Sequence, residues 1–182
     1  MKILVVVDMQ NDFITGPLGS SDAQAIVPAV KARISDYLCN DDTMVIFTRD
    51  THFPENYGST IEGLKLPVPH CYRDTYGWEV IPELMEDADA NKAKVRFVNK
   101  TRFGSFSLVE FIESFNNVEY VELCGVCTDI CVVSNALLLK ASRKDIPVLV
   151  NPALCAGTSK ENHNAAILTM KNCQVDISNY EA

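Results

Sequence analysis

Five short runs rich in Val and Ile, at residues 3–7, 44–47, 95–98, 120–124 and 146–150, recur along the chain with longer amphipathic stretches between them. Runs of this length and composition read as strands buried on both faces. A sixth segment, 173–177, alternates apolar and polar residues as an edge strand does. The intervening stretches read as helices. Residues 25–38 carry Ile26, Val30, Ile34 and Leu38 at four-residue spacing, which puts them on one face. Leu108, Phe111, Ile112 and Phe115 do the same for 107–115, and 129–142 is more apolar still. A last helix over 159–171 has Thr158 or Ser159 as its N-cap. Strands and helices in alternation, with near-continuous apolar strands, give a parallel sheet covered on both faces. Right-handed crossovers then lead to an α/β fold with a doubly wound six-stranded parallel sheet and helices on both faces. The 182 residues suit one domain spanning 1–182.

One connection breaks the rhythm. About forty residues separate Arg49 from Lys94, with Pro54, Pro67 and Pro69 among them, too many for a simple connector and so expected to carry function. A formal charge of −8 leaves no basic face for nucleic acid. No apolar run approaches the roughly 18 residues of a membrane span. The apolar start ends at Asp8 after five residues, too short for a secretory leader, so a cytoplasmic location is expected. The seven cysteines are odd in number, and Cys39, Cys71, Cys155 and Cys173 read as reduced packing residues. In that compartment the glycosylation pattern Asn99-Lys100-Thr101 carries no meaning.

Ligands in such sheets lie outside the carboxyl ends of the strands. Asp8 follows the first strand, Thr48-Arg49-Asp50 the second, Asn99-Lys100 the third and Cys124-Gly125-Val126-Cys127 the fourth. Two carboxylates, an ammonium and a thiol cluster thus reach one rim, a mixture that strand ends chosen for polarity alone would not need to supply. Within Cys124-Gly125-Val126-Cys127-Thr128-Asp129-Ile130-Cys131, a helix capped by Thr128 or Asp129 places Cys131 in its first turn. The helix dipole there favours a thiolate near neutral pH, and the amides of Cys127 and Cys131 can receive an oxyanion. A rival reading takes the C-x2-C-x3-C spacing of Cys124, Cys127 and Cys131 as a three-thiolate cluster site. Lys100 supplies the cation and Asp8 the base that a nucleophilic thiol requires, and the pair offset each other's burial. Two of the three histidines, His52 and His70, fall in the long connection with Asp50 and Glu62, a donor set suited to Zn²⁺, Mn²⁺ or Fe²⁺. His163 reads as structural.

Asp8-Met9-Gln10-Asn11-Asp12-Phe13, Thr48-Arg49-Asp50-Thr51-His52, Pro69-His70-Cys71, the segment holding Lys100, and Gly125 to Cys131 occur in that order. Together they resemble the isochorismatase-like cysteine hydrolases, and among these the nicotinamidases most. The resemblance implies the six-stranded isochorismatase-like sheet, a catalytic triad of Asp8, Lys100 and Cys131, and a cis peptide between Val126 and Cys127 that aims the oxyanion amides. It further implies a divalent metal, Zn²⁺ first, held by Asp50, His52 and His70 with Glu62 as fourth ligand. Many nicotinamidases place an aromatic residue just before Pro-His-Cys. Leu66-Pro67-Val68 stands there in this chain, so the substrate ring is expected to lean on Phe13, Trp78 or Tyr57. Residue 127 is Cys where Ala is common. Members that cleave isochorismate lack the thiol, so Cys131 speaks against that activity. The implied reaction is hydrolysis of nicotinamide through a thioester at Cys131. A carbamoyl, ureido or other small amide substrate, and a non-enzymatic binding module, stand as alternatives. A homo-oligomer is expected, with no nucleic-acid or membrane partner.

Overall fold

A computed structural model describes residues 1–142 and 144–178. The elements run β1 (Lys2–Val7), α1 (Asn11–Ile14), α2 (Ser21–Ala25), α3 (Val27–Cys39), β2 (Thr43–Asp50), α4 (Ile61–Lys65), α5 (Pro82–Ala90), β3 (Val95–Lys100), α6 (Phe106–Glu113), β4 (Tyr120–Val126), α7 (Val133–Lys140), β5 (Val148–Ala156), α8 (Lys160–Asn172) and β6 (Asp176–Ile177). All five strand pairings are parallel and the order is β3-β2-β1-β4-β5-β6. Side-chain alternation sorts the apolar residues into two cores. Ile3, Val5 and Val7 of β1 pack with Leu108, Ile112, Ala136, Leu139, Ile167 and Met170 from α6, α7 and α8. Leu4 and Val6 face the other way, with Val30, Ile34, Leu84 and Ala88 from α3 and α5. No helix among the described residues is long and apolar enough to cross a membrane.

Several boundaries differ from the sequence reading. The helix expected over 25–38 is α3, which starts at Val27 with Pro28 in its first turn, where the missing N–H costs nothing, and the short α2 precedes it. Ser20, Ser105 and Ser159 cap α2, α6 and α8 through their hydroxyls. Neither Thr128 nor Asp129 caps the helix after β4. Thr128 Oγ1 instead meets His163 Nδ1 at 2.8 Å, and Asp129 accepts from the Thr158 amide and hydroxyl. A single π turn, Thr128–Val132, then leads into α7.

The strand order reverses direction of growth between β1 and β4, and crevices form at such a point. Gly125 brings those two strands close, with Val7 opposite it in register. Its φ is +111°, and a Cβ there would lie 2.2 Å from the Val7 carbonyl oxygen, so only glycine fits.

Candidate active site

Asp8 leaves β1 with a left-handed φ of +50° and is fully buried. Lys100 ends β3 and Asp50 ends β2, directly opposite each other in the strand register. Lys100 Nζ lies 2.7 Å from Asp8 Oδ2, 3.5 Å from Cys131 Sγ and 3.2 Å from the Arg102 carbonyl, with Asp50 Oδ1 at 3.7 Å. The ammonium donates to the Arg102 carbonyl and to Cys131 Sγ, while the Asp8 and Asp50 oxygens neutralise it as ion-pair partners. The structure therefore brings Asp8, Lys100 and Cys131 into one buried cluster, although 92 and 31 residues separate Lys100 from the other two.

Burial alone would pull the Lys100 ammonium down, but Asp8, Cys131 and Asp50 outweigh it and hold the group above its ordinary value. Burial pushes the Asp8 carboxyl up against the opposing pull of Lys100, which makes Asp8 a stronger base than a surface aspartate. Burial also drives the Cys131 thiol well above the ordinary range, and Lys100 only partly opposes it. This corrects the expected resting thiolate. A thiol in this setting keeps its proton until a neighbouring base removes it, and Asp8 lies on the same ammonium as the thiol, its Oδ2 2.7 Å and Cys131 Sγ 3.5 Å from Lys100 Nζ. The peptide bond between Val126 and Cys127 is cis. The Cys127 carbonyl accepts from the amides of Ile130 and Val132, which folds the turn carrying Cys131.

Beside the cluster opens a cavity of about 400 Å³. Phe13, Leu66, Phe103 and Ile130 give it apolar walls, while Cys127, Cys131, Asp50, Glu62 and His70 supply polar atoms. Trp78 and Tyr57 do not line it, contrary to the sequence reading. The Trp78 indole donates to Thr51 Oγ1 at 2.8 Å, and the Arg49 guanidinium covers its ring at 3.8 Å. Tyr57 is buried against His52 and His70, at ring separations of 4.7 and 5.4 Å, with its hydroxyl on the Leu66 carbonyl. Phe103 was missed from sequence because nothing in its spacing distinguishes a loop phenylalanine from a packing residue.

Asp50, His52, Glu62 and His70 offer ligand atoms that all lie within 4.8 Å of one another. His52 Nε2 is 2.9 Å from Asp50 Oδ2 and 3.5 Å from Glu62 Oε1. His70 Nε2 is 3.6 and 3.7 Å from the same two oxygens. Yet His52 Nε2 has no partner with hydrogen-bond geometry. Atoms this close that do not point at one another suit a shared centre better than a mutual bond. On its far side, His70 Nδ1 meets the Val68 carbonyl at 2.8 Å, which leaves Nε2 to face the cluster. Two imidazoles and two carboxylates are a donor set that fits a borderline divalent ion. The rival three-thiolate site does not assemble: Cys124 packs in the core against α3, and Cys131 in the core on the opposite face of the sheet.

The isochorismatase domain model matches residues 2–182. A nicotinamidase/pyrazinamidase of Mycobacterium tuberculosis is 28% identical, covering 97% of this chain and 98% of that protein. The crystal structure of a nicotinamidase/pyrazinamidase from Bacillus subtilis superposes with a TM-score of 0.84 at 25% identity, over 97% of this chain and 98% of that one. A pyrazinamidase of Pyrococcus horikoshii, solved in complex with zinc, gives a TM-score of 0.78 at 26% identity over 98% and 99% of the two chains. Sheet order, domain match and relatives lead to one conclusion: the chain belongs to the isochorismatase family.

Proposed function

We propose that the chain hydrolyses nicotinamide to nicotinate and ammonia through a thioester on Cys131. The observation that carries the proposal is a buried base and thiol, both within 3.5 Å of the Lys100 ammonium, opening on a cavity with aromatic walls. Cys131 Sγ attacks the carboxamide carbon as its proton passes to Asp8. Lys100 stabilises the sulfur as charge develops on it. The amides of Cys127 and Cys131 receive the oxyanion, each such donor being worth roughly 3 kcal/mol. The C–N bond then breaks, and Asp8 returns the proton to the departing ammonia. Water enters, gives a proton to Asp8 and attacks the thioester carbon. The C–S bond breaks, nicotinate leaves and the thiol regains its proton.

Asp50, His52, Glu62 and His70 would hold a divalent metal, with Zn²⁺ first and Mn²⁺ or Fe²⁺ compatible with the same donors. The zinc complex of the Pyrococcus horikoshii relative supports that order. When bound, such an ion supplies a Lewis-acidic anchor for the pyridine nitrogen. Phe13, whose ring centre lies 5.6 Å from that of His70, would set the plane of the substrate ring beside it. A single catalytic domain over 1–182, cytoplasmic residence and homo-oligomeric assembly belong to the same proposal, and seven free thiols fit a reducing compartment.

A carbamoyl or ureido acid is the second reading, but such a substrate carries a carboxylate. Among the described residues the cavity lining includes no Arg or Lys to receive one, so a neutral aromatic amide is the better match. The test is ammonia release from nicotinamide, an aliphatic amide and an N-carbamoyl amino acid under identical conditions. Nicotinamide should be turned over fastest by kcat/KM. A preference for the carbamoyl acid would replace the substrate assignment.

A further inference from the structure

A φ of +50° at Asp8 is uncommon for a residue with a side chain, although aspartate tolerates it better than most, and a neighbour bonded to its amide fixes it there. The holding group is Thr48. Val6 of β1 lies opposite Phe47 of β2, so the next residue of β2 arrives beside the end of β1. Thr48 is fully buried at that point. Its hydroxyl donates to Asp8 Oδ1 at 2.7 Å and accepts from the Asp8 amide at 3.2 Å. One hydroxyl has the proton and the lone pair for both contacts. It therefore fixes the turn and the carboxylate together. Asp8 Oδ2 is then the oxygen turned to Lys100, at 2.7 Å.

We infer that Thr48 is a positioning residue for the cysteine chemistry: its hydroxyl, bonded to both the amide and Oδ1 of Asp8, aims Oδ2 as the atom that takes the Cys131 proton. The inference deepens the reading of Asp8 as the base and rests on it. In the step concerned, the S–H bond of Cys131 breaks, an O–H bond forms at Oδ2, and the Thr48 proton stays on Thr48. Valine keeps the shape of threonine and lacks the hydroxyl, whereas serine keeps the hydroxyl and lacks the methyl.

The experiment compares wild type, Thr48→Val and Thr48→Ser in two reactions. In the first, iodoacetamide, a neutral amide, alkylates Cys131 with loss of iodide, and the rate is followed on the Cys131 peptide by mass spectrometry. The second is nicotinamide turnover. Thr48→Val should slow both alkylation and kcat by roughly tenfold to a hundredfold, at or below the low end of what a positioned proton acceptor contributes, since Asp8 itself remains. KM should stay within about twofold, and Thr48→Ser should restore both rates to within about threefold. A valine variant that alkylates at the wild-type rate, or a serine variant as slow as valine, overturns the inference. If Thr48→Val does not fold, Thr48→Ala read against Thr48→Ser decides the matter in the same way. Alkylation does not depend on which amide the enzyme cleaves. A chain that ignores nicotinamide yet shows the valine–serine difference would lose its proposed substrate and keep Thr48 in its role.

Discussion

Cys131→Ala is expected to lower nicotinamide turnover by at least about 10⁴-fold while leaving the fold in place. The size follows from the role: without the sulfur there is no atom to form the thioester, and Asp8 and Lys100 have nothing to activate. Retention of the fold follows from the packing. The cysteine sits among Val7, Leu108, Val132 and other members of the core under α6, α7 and α8, and the substitution removes one sulfur from that core. A stability change within about 2 kcal/mol is expected from so small a truncation. Ammonia release and a denaturation midpoint, measured on the same preparation, check both halves. Near-normal ammonia release would show that Cys131 is not the nucleophile. Changing Lys100 probes the same cluster less cleanly, because it strands the Asp8 carboxylate in the interior and so attacks the fold as well.

Removal of the metal is the second large effect. A purified sample should contain about one divalent ion per chain, and stripping it with a chelator should cut turnover by on the order of a hundredfold or more, a Lewis-acid contribution being worth several kcal/mol. Adding Zn²⁺ back should restore activity. His70→Ala should lower the metal content by itself, since His70 Nε2 faces both carboxylate oxygens of the cluster. Cys131 alkylation by iodoacetamide should persist in the stripped protein, because Asp8 and Lys100 stay in place without the ion. Elemental analysis finding no metal, together with turnover indifferent to chelation, would remove Asp50, His52, Glu62 and His70 from the site.

Much of this arrangement was legible before any coordinates, and the reason is physical. Strands buried on both faces must be apolar along their length, so the Val- and Ile-rich centres of β1, β2 and β4 announced themselves; β3, read as buried from 95–98, is instead an edge strand with Arg96, Phe97 and Asn99 exposed. The strand ends did not announce themselves. Hydrogen-bonded pairing continues through Asp50 and Lys100 regardless of side-chain polarity, and through Gly125 and Val126 past the apolar run. β5 begins at Val148 rather than residue 146 and runs on through Asn151 and Pro152 to Ala156. Its register with β4 shifts between Leu123, which pairs with Val150, and Gly125, which pairs with Cys155, an irregularity that leaves extra β5 residues unpaired with β4. α5 was passed over because its acidic residues mask the two apolar ones, Leu84 and Ala88, that it buries. The sixth strand keeps only Asp176–Ile177 of the segment expected.

The site divides along the same line. Residue types at successive strand ends located Asp8, Asp50, Lys100 and the thiol segment, since topology alone carries those ends to one rim. Side-chain direction is set by tertiary packing and has no local signal. Thr48 and Gln10 stood inside quoted motifs, yet spacing could not reveal that Gln10 bonds the Asp50 amide and carbonyl as well as the Trp78 carbonyl. For the same reason Trp78 and Tyr57 looked like ring-binding aromatics and proved to be supports for the loop. The charge state of Cys131 also depended on burial, and burial reversed the expectation drawn from its place in a helical turn.

The central claim is that the acyl group passes through Cys131, and hydroxylamine tests it most directly. A thioester is open to attack by a nucleophile other than water. Wild-type protein given nicotinamide and hydroxylamine should form nicotinohydroxamate at the expense of nicotinate, with ammonia released in step with the sum of the two. Nicotinate and ammonia produced at undiminished rates, with no hydroxamate at saturating hydroxylamine, would mean that water attacks the amide itself.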